Sequence, residues 1–242
     1  MPGNETHREK TRLVSAPYLS VVMPVYNERA HIQEILRRVR AVPIDKEILC
    51  VDDCSGDGTW EVLQEESNQP DTRVFRHPRN LGKGAAVRTG LTHVLGEVVI
   101  IQDADLEYNP ADYPALVTLV QRGEADVVYG SRFLGRREAM SRSHAAGNRF
   151  VTWMTNLLFG TSLTDMETCY KVFPASIAGR LNLVSERWGF DPEITAKILR
   201  LGYRITEVPI DYHGRSFEEG KNLRWQDGFS VLFALLRFRW FW

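Results

Sequence analysis

Three carboxylates, Asp103, Asp105 and Glu107, stand directly behind the apolar run Val98–Ile101. Four consecutive β-branched residues suit a strand buried on both faces of a parallel sheet. Acids released at its end gather negative charge at the carboxyl edge, where open α/β sheets bind ligands. Crowded carboxylates raise one another's pKa unless a cation compensates them. Mg²⁺ or Mn²⁺ suits such oxygen ligands, and Mg²⁺ leaves positions for substrate phosphates. The expected chemistry is a metal-held diphosphate; the alternative is a solvated acidic loop.

Two earlier turns carry matching groups. Pro24-Val25-Tyr26-Asn27-Glu28 closes a strand read over 19–24, and Asp52-Asp53-Cys54-Ser55 closes one over 47–51. Strands of a parallel sheet deliver their following loops to one edge, so the three turns converge. Tyr26 offers a ring to a base, and Glu28 and Asp53 offer acceptors to a base or ribose; alternatively both acids cap the helices behind them. Asn80-Leu81-Gly82-Lys83-Gly84 puts a lysine and two glycines before a helix, a place that attracts phosphate. The spacing is neither that of a P-loop nor that of a dinucleotide fingerprint, which argues against an oxidoreductase.

Two basic stretches lie downstream: Gly130-Ser131-Arg132, and 211–221 with His213, Arg215 and Lys221. Two basic loops beside one acidic cleft suit two phosphates, one from a donor and one from an acceptor. The alternative is that Arg215 and Lys221 pair with Glu218 and Glu219 at the surface.

The elements that position these groups alternate. Helices are read over 30–42, 60–66, 85–95 and 110–121, and strands over 19–24, 47–51, 74–76, 98–101 and 126–129. The pattern predicts a three-layer α/β/α sandwich with a mostly parallel central sheet. Beyond a polar, basic, lid-like loop at 135–143, a helix is expected over 148–159, a strand over 169–173, a helix over 192–201 and a strand over 204–212. The organisation expected is a flexible arm over 1–17, one domain over 18–225 and an apolar, aromatic helix over 226–242.

The composition, 43% hydrophobic and 25% charged with a net charge of -1, gives no basic field for nucleic acid. Three cysteines, Cys50, Cys54 and Cys169, fit reduced thiols in a cytoplasm rather than a disulfide framework or a zinc site. The last 15 residues would rise only about 22 Å as a helix, short of the roughly 30 Å hydrocarbon core. Their aromatics and arginines suit a membrane surface instead, or else a partner subunit or the chain's own core.

Taken in order, these motifs, with Asp103-Ala104-Asp105-Leu106-Glu107 and Glu207-Val208-Pro209-Ile210, resemble family-two glycosyltransferases of the GT-A, Rossmann-like fold. Within them the chain is most similar to polyprenyl-phosphate, dolichol-phosphate mannosyltransferase-like hexosyltransferases. The resemblance implies inverting transfer of a hexose from a sugar nucleotide, GDP-mannose or a UDP-hexose, to a polyprenyl phosphate at the inner membrane face. It implies a donor nucleotide at Pro24, Tyr26, Glu28, Asp53, Lys83, Asp103, Ala104 and Arg132. Mg²⁺ or Mn²⁺ would sit at Asp105 and Glu107 with Asp103 close by. Arg132, Arg215 and Lys221 would hold the acceptor phosphate, and Asp103, Asp105, Arg215 and Lys221 would carry the transfer. The chain departs from the pattern at Asp165-Met166-Glu167-Thr168-Cys169-Tyr170-Lys171, where a glycine–phenylalanine–arginine run is common, and at Gly220-Lys221, where serine–lysine is usual. Both departures touch the acceptor side. A saccharide acceptor would require a carboxylate base, Asp165 or Asp191; a non-catalytic sugar-nucleotide-binding subunit would have no need of the acidic triplet.

Overall fold

The computed structural model describes residues 16–187, 189–214 and 227–241. Most of the amino-terminal arm, and Arg215 and Lys221, lie outside the described residues.

The chain alternates from its first strand. It runs β1 (Leu19–Val25), α1 (Ile32–Ala41), β2 (Lys46–Asp52), α2 (Thr59–Glu66), β3 (Thr72–Arg76), α3 (Lys83–Leu91), β4 (Val98–Ile101) and α4 (Tyr113–Gln121). There follow β5 (Val127–Ser131), β6 (Arg137–Glu138), α5 (Arg142–Phe159), β7 (Lys171–Pro174), α6 (Ala175–Leu181), α7 (Phe190–Arg200), β8 (Ile205–Pro209), β9 (Tyr212–His213) and α8 (Asp227–Trp240). Seven strands form one sheet in the order β3-β2-β1-β4-β7-β5-β8. All neighbours are parallel except β7, which runs against both β4 and β5. The carboxyl ends of β1 to β5 and β8 therefore share one rim, and the amino end of β7 joins them there.

Burial explains the sheet. Val98, Val99, Ile100 and Ile101 are all buried, as are Val21, Val22 and Met23 beside them on β1. Each such side chain contributes about 1.5–3 kcal/mol on leaving water. On α1 the buried residues Ile32, Ile35, Leu36 and Val39 fall on one stripe of helical period. The order reverses between β1 and β4, with β2 on one side of β1 and β4 on the other, which is where doubly wound sheets open a crevice.

Four features differ from the sequence reading. The strand expected over 204–212 breaks in two: β8 stops at Pro209, which has no N–H to donate, and Tyr212–His213 pairs instead with Arg137–Glu138. The loop at 135–143 thus carries a strand of its own and is stitched to β9. Helix α5 starts at Arg142 because the Ser141 side chain accepts the His144 N–H; its first turns are too polar to show apolar periodicity. A short helix, α6, follows β7 directly.

The last helix does not stand apart. Val231 and Leu235 of α8 pack with Val151, Leu163 and Met166, and Ala234 and Phe238 pack with Ala196 of α7. Its opposite face is open.

Candidate active site

The three turns expected to converge are tied together by hydrogen bonds. Asn27, at the end of β1 with a left-handed φ of 55°, donates its N–H to Ser55 Oγ at 2.9 Å. Gly56 N–H returns to Asn27 Oδ1 at 3.0 Å, and Glu28 N–H donates to Thr59 Oγ1 at 2.9 Å. Behind β4, Gln102 N–H donates to Val22 O at 3.0 Å. Pro24 lies in register with Val51, and Tyr26 is 45% exposed, its ring open to a stacking partner. Glu28 bonds His31 Nδ1 at 2.8 Å.

Asp53 does structural work. Its carboxylate is almost wholly buried and accepts Leu81 N–H at 2.8 Å, Gly82 N–H at 2.7 Å and His77 Nδ1 at 2.7 Å. It therefore caps the turn ahead of α3 rather than a helix that follows it. This changes the reading of Asn80–Gly84. The amides of Leu81 and Gly82 point at Asp53, and Ala85 N–H donates to Glu186 O at 3.1 Å, so those three are not a phosphate cradle. The glycines answer a packing need: Gly82 has φ +99°, and a Cβ there would lie 2.4 Å from Glu186 O. A Cβ on Gly84 would lie 2.4 Å from Ser185 O.

Lys83, the first residue of α3, reaches across to the acidic turn. Its ammonium lies 2.7 Å from Asp103 Oδ1 and 2.9 Å from Oδ2. Burial alone would raise Asp103 and lower Lys83; their mutual charge outweighs it, leaving the carboxyl below its usual range and the ammonium above. Asp105 Oδ1 accepts Glu107 N–H at 3.1 Å across a turn in which Leu106 takes a left-handed φ of 63°. Ala104 is buried beneath it. Glu107 accepts the Tyr212 hydroxyl at 2.6 Å.

Among the described residues no group of three or more His, Cys, Asp and Glu side chains is placed to hold a metal ion. The expected trio of Asp103, Asp105 and Glu107 is thus not brought together around one point, since Glu107 engages Tyr212. Asp103 and Asp105 still fit a divalent cation: they are hard oxygen donors, two carboxylates suffice for Mg²⁺, and Asp103 already draws a cation in Lys83.

Arg132, at the end of β5, is held by Asp165. The Asp165 carboxylate takes the Arg132 N–H at 2.9 Å, Nε at 2.7 Å and the guanidinium amine at 2.8 Å. The guanidinium lies 5.3 Å from the centre of the Tyr212 ring. Glu207 fixes this arrangement by accepting the N–H groups of Thr164 and Asp165. Lys171 is fully buried between Asp191, with which it forms an ion pair, and the Tyr129 ring. The carboxylates Asp165 and Asp191, expected as alternative bases, are therefore each committed to a cation. Burial raises the thiols of Cys169 and Cys50, the latter to about 12, so neither is a nucleophile at neutral pH.

The sequence reading did not assign Tyr212, Tyr108 or Gln102 to the site. Gln102 Oε1 accepts the hydroxyls of Tyr113 and Tyr170, at 2.6 and 2.9 Å, and Tyr108 accepts Cys169 N–H at 3.0 Å. Single tyrosines in apolar strands carry no sequence signal for such roles; only the topology unites them.

A sheet of this order with an acidic turn at its switch point is the architecture of sugar-nucleotide transferases. The family model for Glycosyl transferase family 2 matches residues 20–183, and the chain belongs to that family. It is 31% identical over 210 residues to the undecaprenyl-phosphate 4-deoxy-4-formamido-L-arabinose transferase of Edwardsiella ictaluri, covering 84% of this chain and 62% of that protein. The transferase of the same name from Salmonella paratyphi A is 31% identical with the same coverage. The chain thus spans about 62% of the length of these relatives. The fold is GT-A. Glucosyl-3-phosphoglycerate synthase of Mycobacterium tuberculosis, solved with Mn²⁺, UDP and phosphoglyceric acid, superposes with a TM-score of 0.71 at 20% identity, over 93% of this chain and 79% of that one. Residues 1–349 of S. aureus TarS, solved with UDP-GlcNAc, superpose with a TM-score of 0.63 at 16% identity, over 91% and 66%.

Proposed function

We propose that this chain transfers a hexose from a nucleotide-diphosphate sugar to a polyprenyl phosphate, with inversion, in the presence of Mg²⁺ or Mn²⁺. The observation that carries the reading is the single rim on which the Tyr26, Asp53 and Asp103 turns meet, with Arg132 beside them. Tyr26 and Glu28 face the base and ribose of the donor, GDP-mannose or a UDP-hexose. Asp103 and Asp105 hold the divalent ion, which when bound offsets the charge of the diphosphate as it leaves. Lys83 holds Asp103 ionised, and Arg132 lies by the diphosphate. Arg215 and Lys221, on the reading from sequence, hold the acceptor phosphate.

In the transfer an acceptor phosphate oxygen forms a bond to the anomeric carbon while the bond to the nucleoside diphosphate breaks. A phosphate monoester is ionised at neutral pH, so no strong base is required; orientation and charge neutralisation suffice. The pairing of Asp165 with Arg132 and of Asp191 with Lys171 favours this acceptor over a saccharide hydroxyl, which would need a free carboxylate base. The names of the relatives support a lipid phosphate as acceptor.

The surface supports it as well. Among the described residues, exposed apolar side chains concentrate on two neighbouring helices: Phe150, Trp153 and Leu157 on α5, and Phe233, Leu236 and Trp240 on α8. Each set has the spacing i, i+3, i+7 of one helical face. Arg149, Arg237 and Arg239 are exposed among them, a mixture suited to the headgroup layer of a membrane. A cavity of about 350 Å³ lies between Trp153 of this face and Thr164, which bonds Ser131 beside Arg132. No helix among the described residues is long and apolar enough to cross a membrane; the reading is docking at the inner surface. The deciding experiment is a panel of sugar nucleotides with Mg²⁺ or Mn²⁺, scored for label moving into an organic-extractable lipid. Label in lipid is the expected result, and label only in water-soluble product overturns the reading.

A further inference from the structure

Residues 165–169 cross the sheet rim between the ends of β5 and β4, tied at both sides. At one end Asp165 grips the backbone and guanidinium of Arg132. At the other, Cys169 N–H donates to Tyr108 and its thiol reaches Ile101 O at 3.6 Å. Thr168 is fastened to Gly130 O. Glu167 therefore lies on the segment between Arg132 and the Asp103 turn, where the proposed donor diphosphate and acceptor come together.

The charges there do not balance if every group ionises. The charged groups that face Glu167 are Asp191, Lys171, Arg132 and Asp165. Arg132 is paired with Asp165, and Lys171 with Asp191. Both cations are thus taken, and Glu167 has no ion pair among the described residues. Its Oε1 is buried without a hydrogen-bond partner. An ionised third carboxylate would be an uncompensated buried charge beside two others, whereas the protonated acid only lacks a partner. Burial first, then the charges of Asp191 and Asp165, push Glu167 up to about 8 against the pull of Lys171 and Arg132.

We propose that Glu167 is a neutral carboxylic acid in the working protein and that its O–H donates a hydrogen bond to a phosphoryl oxygen of the acceptor. This rests on the reading of the acceptor as a phosphate-bearing lipid. A carboxylate in that place would repel the phosphate; the acid admits it and orients it. Glu167 is a binding residue, not a base, and its proton stays on the protein.

The test pairs spectroscopy with binding. The infrared difference between wild type and Glu167→Gln is expected to show a protonated carboxyl band at pH 7 that is lost by pH 10. Wild-type affinity for a short-chain prenyl phosphate should fall about tenfold from pH 7 to pH 9, as the protonated fraction falls, while the ratio for Glu167→Gln stays within about twofold. Should Glu167→Gln fail to fold, Glu167→Met, uncharged and of like length, carries the same comparison. An ionised Glu167 at pH 7, or the same tenfold loss in the uncharged variant, overturns the proposal. Sugar transfer to the lipid with pH-independent binding also sinks it while leaving the acceptor reading intact. Glu167-dependent binding without any transfer does the reverse.

Discussion

The ammonium of Lys83 sits within 2.9 Å of both carboxylate oxygens of Asp103, joining the start of α3 to the end of β4. The pair keeps Asp103 ionised in a buried place, ready for a second cation. Asp105→Ala is expected to abolish transfer while the protein stays folded, and chelation of divalent ions should do so reversibly. Lys83→Met should lower transfer by about a hundredfold or more, the usual cost of losing one preorganised charge. It should also move the acid limb of activity to higher pH, because Asp103 then faces burial without its partner. Rate assays across pH with and without chelator check this; undiminished turnover in Asp105→Ala would remove the metal from the account.

Asp53 gives a different kind of prediction. Removing its carboxylate strands two backbone amides and His77 Nδ1, each costing about 1–3 kcal/mol when buried unsatisfied. Asp53→Ala should therefore lose several kcal/mol and melt on the order of 10 °C lower, with α3 and the loop beneath it loosened first. Asp53→Asn keeps the shape and should lose less. Equal Tm values for wild type and Asp53→Ala would show that the turn ahead of α3 stands without Asp53.

What was legible in the sequence follows from what is local. The buried run Val98–Ile101, the acidic turn behind it and the convergence of three strand-end loops could be read from residue type and order alone. Pairings between distant segments could not. Nothing in Asn80–Gly84 announces that its glycines make room for the backbone at Ser185 and Glu186, so a packing motif looked like a phosphate loop. Lys171 stands within an apolar run and reads as a solvent-facing strand residue, yet it is fully buried, since Asp191 comes to it from α7. The break after Pro209 was likewise hidden, because its cause, the pairing of Tyr212 with Arg137, spans 75 residues.

Stability should fall as pH rises through neutrality. Glu167 is pushed up to about 8, and burial pushes Asp112 up to about 6, from ordinary values of 4.5 and 3.8. Both groups bind protons more tightly folded than unfolded. Their stabilisation is complete below about pH 4 and is lost as pH climbs through 6 and then 8. Asp103, held low by Lys83, acts in the opposite sense, but only in acid, below its ordinary value. The net loss between pH 5 and pH 8 should be on the order of a few kcal/mol. Denaturant titrations at several pH values check it: the combined variant Glu167→Gln and Asp112→Asn should show a much flatter profile, and a wild-type curve that rises over this range contradicts the assignment.

The paired helices α5 and α8 show where a membrane would meet the protein. Their inward faces are fully occupied, by Val151 and Leu163 on one side and Val231, Leu235 and Phe238 on the other. The outward Trp153, Phe233 and Trp240 stay 56%, 67% and 59% exposed, and so contribute little to folding. Burying each in a headgroup layer would gain about 1.5–3 kcal/mol, and each arginine near an anionic surface about 1 kcal/mol. The protein should thus sediment with anionic vesicles, less so with neutral ones, and less as salt rises. The triple variant Trp153→Glu, Phe233→Glu and Trp240→Glu should lose binding by more than about a hundredfold with little change in Tm, because the side chains replaced leave the core untouched. Transfer to a lipid acceptor in vesicles should fall with it, while transfer to a short-chain soluble prenyl phosphate should not. That split separates a docking face from the site it serves; equal loss with both acceptors would place these residues in the fold or the site instead.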